Sequence, residues 1–270
     1  MIMSRSFDII CGYIKHRINI EDKSQMLLIV GEMGSGKSLA AVSIACKIDP
    51  SFDVCPRIVY TVPDFLDTLI KMKKGQCIIF DEAGVGVPAR EWQHAQNKIM
   101  SIITQILRYK NVCCIFTTPN IRLLDINVRE AMNGFIKPRY IDTKHNVNVC
   151  KYKIIMVNDD GVVVKRDFIY YDGKSGAAGE IIDPLYIPRP NQEIEEHYKK
   201  ISIEMKNAKL KELKHSIDSE APLHQSTLKS IENKAEACVK MLNYFKKTHT
   251  WDELATASGM SRKQENSYMG

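Results

Sequence analysis

The apolar run QMLLIV at residues 25–30 passes directly into GEMGSGKS at 31–38, and that octet into LAAVSIACKI at 39–48. The first run has the length of a buried strand and the last the pattern of a buried helix, so the Gly-rich octet stands at a strand-to-helix turn. Gly31, Gly36, Lys37 and Ser38 fill the fixed positions of G-x-x-x-x-G-K-[ST]. In that setting backbone N–H groups and the helix N-terminus face phosphate oxygens, lysine adds a point charge, and serine offers a hydroxyl to magnesium. Gly31, Glu32, Met33, Gly34, Ser35, Gly36, Lys37 and Ser38 are therefore the expected nucleotide-binding residues, with Mg2+ on Ser38.

Outward from this turn, strand-like and helix-like segments alternate to about Tyr140: RIVYTV, PDFLDTLIKM, CIIF, REWQHAQNKIMSIITQILRY, VCCIFTT, LLDINVREAM and GFIKPRYI. Such alternation predicts βαβ units and a parallel sheet buried on both faces. The expected fold class is α/β, a P-loop NTPase with a mainly parallel sheet covered by helices on both faces. NVNVCKYKIIMV and VVVKRDFIYY, joined at Asn158-Asp159-Asp160-Gly161, predict an appended β-hairpin at about 141–172, because Asp-Gly favours a tight turn. GKSGAAGE and DPLYIPRPN read as a linker or surface strap. Ile194, Tyr198, Ile201, Met205 and Ala208 follow helical spacing, a stripe for packing on the core or on a partner. The organisation expected is a core at 1–185, a linker and charged amphipathic helix at 186–225, and a small all-helical module at 226–270.

Cys77-Ile78-Ile79-Phe80 ends in Asp81-Glu82. An aspartate at a strand tip can hold the magnesium hydration shell, and the glutamate after it can polarise an attacking water, which suits hydrolysis. Asp81 is thus the second candidate for Mg2+, Glu82 the candidate base, and Lys37 the catalytic cation. The strand from Val112 ends in Thr117-Thr118-Pro119-Asn120, and Thr118 and Asn120 are candidates to touch the γ-phosphate or the water; turn chemistry explains them equally well. Asn97-Lys98-Ile99-Met100 lacks the aspartate of N-K-x-D, so ATP rather than GTP is the expected nucleotide.

GEMGSGKS, IIFDEAG and the segment ILRYKNVCCIFTTPNIRLLDINVREAMNGFIKPR resemble the additional-strand ATPases of the zonular occludens toxin and HerA/FtsK type. Over about residues 25–140 the resemblance implies an oligomeric ring ATPase associated with DNA packaging or pumping. It implies that Arg108 or Arg129 from a neighbouring subunit reaches the site. Pro119 stands where that family often has glutamine, which leaves the polar role to Thr118 or Asn120. AAA+ replication initiators, whose sensor strand commonly ends in asparagine, are the alternative family.

Thr250 to Met269, TWDELATASGMSRKQENSYM, reads as helix, turn and helix, with capping boxes at Thr250/Glu253 and Ser261/Gln264 and a permissive Gly259. It resembles a helix-turn-helix, which implies contacts to double-stranded DNA from Arg262, Lys263, Gln264 and Asn266. The other reading of residues 191–270 is a protein-interaction or oligomerisation module, and a nucleotide-gated assembly switch that ignores DNA is the corresponding alternative function. The net charge of +6 suits a polyanion without demanding one. Eight cysteines without a C-x-x-C pair predict reduced thiols and a cytoplasmic protein, and no apolar window is long enough for a membrane span.

Overall fold

The computed structural model describes residues 2–81, 107, 109–124, 126–160, 162–173, 178–208, 210–211 and 214. Helix α1 (Ile2–Asn19) leads into strand β1 (Gln25–Val30), the phosphate loop and α2 (Lys37–Ile48). A short turn α3 (Val54–Arg57), β2 (Ile58–Val59), α4 (Val62–Lys71), β3 (Cys77–Phe80) and β4 (Cys113–Thr118) follow. After a 3-10 turn at Ile121–Leu123 come α5 (Ile126–Glu130), β5 (Gly134–Asp142), β6 (Val147–Val157), β7 (Val163–Asp167), β8 (Ile169–Tyr170), β9 (Glu180–Ile181) and β10 (Leu185–Pro188). A helix at 192–208, here α6, is the last described element.

The parallel core runs in the order β5-β1-β4-β3-β2, so the last-formed parallel partners flank the strand that carries the phosphate loop. β4 lies between β1 and β3, pairing Val30 with Thr118 on one side and Phe80 with Phe116 on the other. That register sets Asp81, one step past Phe80, beside Thr117. β6 extends the sheet antiparallel to β5, and its far edge is shared by β10 along Val147–Cys150 and β7 along Lys153–Val157.

Period-2 alternation divides the core between the two faces. Leu27, Ile29, Ile79 and Ile115 face a cluster completed by Ile10, Ile14 and Ile18 of α1 and by Ala41, Ile44 and Ala45 of α2. Met26, Leu28, Ile78 and Phe116 face the other, completed by Phe65 and Leu69 of α4 and by Val128 and Met132. Both faces are therefore covered, as continuous apolar strands require. Tyr198 of α6 joins the first cluster, with Ile194 and Ile201 half-buried beside it, so the helical stripe packs back on the core.

Several expectations change. RIVYTV forms only the two-residue β2, because Thr61 accepts a hydrogen bond from the Asp64 N–H and starts α4 there. The strap DPLYIPRPN contains β10, whose Leu185 and Ile187 are fully buried. Chain contacts divide the chain into two units, residues 1–205 and residues 206–270. No helix among the described residues is long and apolar enough to cross a membrane.

Candidate active site

The phosphate loop is shaped by two glycines in the left-handed region, Gly34 at φ 81° and Gly36 at φ 79°. Gly36 is the N-cap of α2 and brings no side chain to it, which leaves the first-turn amides to a ligand rather than to a capping hydroxyl. A Cβ on Gly36 would stand 2.7 Å from Nδ2 of Asn148. That amide donates to the carbonyl of Ser35 at 3.0 Å, so β6 clamps the loop from the side. Lys37, almost wholly buried, donates from Nζ to the carbonyl of Glu32 at 2.9 Å and so closes the loop on itself.

Ser38, the next residue, donates from Oγ to Oδ1 of Asp81 at 2.8 Å. Thr117 donates to the same oxygen at 2.6 Å, and the phenol of Tyr198 donates to Oδ2 at 2.8 Å. Asp81 is 1% exposed. A carboxylate so far from water stays tolerable because its lone pairs are taken by hydroxyls, and bonds to a charged acceptor are the stronger kind. Burial, then the negative charge of Asp81, pushes the Tyr198 phenol well above its ordinary 10.0, which keeps the proton on its oxygen and the oxygen a donor.

The fold therefore brings together Lys37, Ser38 and Asp81, all anticipated, with Thr117 by strand register, Tyr198 from α6 and Asn148 from β6, which were not. Thr118 is fully buried and donates to the carbonyl of Asn120 at 3.0 Å. Asn120 accepts from the N–H of Arg122 at 2.9 Å and caps the 3-10 turn. Both serve the turn in this structure. Arg129, on α5, is half-buried, with Nε making no hydrogen bond. Glu82, Arg108, Arg262, Lys263, Gln264 and Asn266 lie outside the described residues. Alternation along β4 could have singled out Thr117, since it shares a face with Ile115; nothing local in the sequence points to Tyr198 or Asn148.

The N-terminal domain of zonular occludens toxin from Neisseria meningitidis is 19% identical, over 53% of this chain and 93% of that one, with a TM-score of 0.31. A KaiC-like protein from Pyrococcus horikoshii OT3 is 13% identical over 53% and 89%, with a TM-score of 0.31. The genome packaging NTPase B204 from Sulfolobus turreted icosahedral virus 2, solved with ATP-gammaS, is 12% identical over 56% and 100%, with a TM-score of 0.30. No curated protein matches the chain. The family model described as Novel STAND NTPase 3 matches residues 13–152, just over half of the 270. That span holds the phosphate loop, the Asp81 strand and the strand between them, and the chain belongs to this nSTAND3 family of enzymes that hydrolyse nucleoside triphosphates.

Proposed function

We propose that the chain is an ATP-hydrolysing, DNA-associated motor of a virus or mobile element that works as an oligomeric ring. The observation that carries the DNA part is a basic face on the antiparallel extension. Lys137 and Arg139 of β5, Lys151 and Lys153 of β6 and Lys165 of β7 share one side of three adjacent strands, and Lys137 pairs directly with Lys151. Among the described residues, Asp167 and Asp183 answer them, at 3.1 Å from Lys153 and 2.9 Å from Arg139, with Lys151 reaching both. Burial, then Lys153 and Lys137, lower the pKa of Lys165, whose ammonium lies 3.7 Å over the ring of Phe135. Crowded like charge of this kind is relieved by a polyanion, and phosphates are the fitting one.

Within the site, magnesium suits the residues present, since Ser38 and Asp81 form a hydroxyl–carboxylate pair 2.8 Å apart. Mg2+ takes one or two such protein oxygens and fills its octahedron with phosphate and water. When bound, it offsets the charge on the β- and γ-phosphates. Lys37 exchanges its bond to the Glu32 carbonyl for phosphate oxygens, and Glu82 polarises the attacking water. Thr118 and Asn120 give polar support near the γ-phosphate, Arg108 or Arg129 reaches in from a neighbouring subunit, and Arg262, Lys263, Gln264 and Asn266 contact DNA.

The test is steady-state ATP hydrolysis at low salt, with and without double-stranded DNA, against a Glu82→Gln blank. Double-stranded DNA is expected to raise the rate, and reversing Lys137, Lys151 and Lys165 to glutamate to remove the increase. A rate indifferent to DNA of every length overturns the motor and the replication-initiator alternative together. A second reading, a nucleotide-gated switch, is favoured by the bond from α6 to Asp81; it expects hydrolysis without any response to DNA.

A further inference from the structure

The three donors on Asp81 differ in origin. Ser38 stands on the first turn of α2 and Thr117 on β4, both parts of the parallel core. Tyr198 arrives from α6, beyond the 13–152 span of the family match. Oδ1 is already shared by Ser38 and Thr117, which uses both of its lone-pair directions. Oδ2 is the oxygen left for the water shell of a magnesium ion, and the Tyr198 hydroxyl covers it. Tyr198 and Ser202 are buried on α6 and Ile194 and Ile201 half-buried, whereas Ile203, Glu204, Lys206, Asn207 and Ala208 are exposed, and the pairs of Glu195 with Arg189 and Lys199 are at the surface, where ion pairs contribute little, so the helix is held on one narrow stripe centred on Tyr198.

We propose that Tyr198 is a latch on the nucleotide site: its hydroxyl and magnesium-bound nucleotide compete for Oδ2 of Asp81, so loading the site frees Tyr198 and loosens α6. This rests on Ser38 and Asp81 being the magnesium pair. Linkage makes the effect reciprocal, so the affinity that nucleotide loses to the latch equals the hold that α6 loses to nucleotide. A hydrogen bond to a charged acceptor is worth about tenfold or more in an equilibrium constant.

The experiment uses the full chain and Tyr198→Phe, titrated with a fluorescent non-hydrolysable ATP analogue in magnesium and in EDTA, alongside amide exchange of peptides covering 192–208. Tyr198→Phe is expected to bind the magnesium complex about tenfold more tightly and to be unchanged in EDTA. In the unsubstituted chain, exchange over 192–208 should quicken on loading, and in Tyr198→Phe it should already be fast with the site empty. Equal or weaker binding of the magnesium complex by Tyr198→Phe, or unchanged or slower exchange on loading of the unsubstituted chain, overturns the latch. Affinity that ignores magnesium in both proteins overturns the magnesium pair and the latch with it; magnesium-dependent affinity that ignores the substitution overturns the latch alone.

Discussion

Gly36 shows how much one residue of the phosphate loop is asked to do. Its φ of 79° is a conformation that costs an L-residue roughly 1–2 kcal/mol, and the missing Cβ leaves room for the Asn148 amide. Gly36→Ala should therefore lower the melting temperature by several degrees, on the order expected for 1–2 kcal/mol, and weaken ATP binding as Asn148 is pushed off Ser35. A thermal melt and a nucleotide titration check both; a stable variant with unchanged affinity would remove the clamp from the argument. The motif residues were readable because a phosphate loop encodes its own geometry in consecutive positions. Thr117 was within reach of strand alternation, but the expectation fell on its neighbour Thr118 instead, and the β3–β4 register puts Thr117 beside Asp81. Tyr198 and Asn148 act on residues more than a hundred positions away, and no local pattern records such a contact.

Among the elements, the parallel strands were legible because burial on both faces makes them unbroken apolar runs. β10 was not, since four residues ending in Pro188 between two further prolines carry the composition of a loop. Its position explains why proline is tolerated: β10 is an edge strand, and Pro188 is its last residue. The strand is nevertheless well anchored, with Leu185 and Ile187 in the core and the carbonyl of Pro188 accepting from Ser43 of α2 at 2.6 Å. Leu185→Ala should cost about 2–5 kcal/mol, the usual range for a buried leucine whose cavity relaxes only in part. Urea denaturation measures it; a loss below about 1 kcal/mol would return residues 185–188 to the status of a surface strap. The N-terminal helix buries Phe7, Ile10, Cys11, Ile14 and Ile18 as one stripe at helical spacing, an element missing from the sequence-based expectations, whose strands and helices begin at Gln25.

For the whole molecule, the buried thiols set a limit on alkaline stability. Burial raises Cys11, Cys77 and Cys114, and pushes Cys150 from an ordinary 9.0 up to about 12. Above pH 9 the unfolded chain gives up protons that the folded chain keeps, so these groups contribute fully below that pH and their contribution drains away toward pH 12. The melting temperature should be level from neutral pH to about 8.5 and fall steeply by about pH 10–11. Melts across that range check the sign, and replacing Cys150 with alanine should flatten part of the fall.

β6 carries Asn148 near its start and Lys151 and Lys153 three and five residues farther along. At about 3.3 Å per residue, the amide that steadies the phosphate loop is only about 10 Å along the same backbone from the first of those lysines. A load pulling on the lysines would be carried as tension along β6 itself, past the point where its pairing with β5 shifts register between Pro138 and Tyr140. In mechanical terms the strand is a tie-rod, and the bulge on its β5 neighbour decides how faithfully a tug at one end is registered at the other.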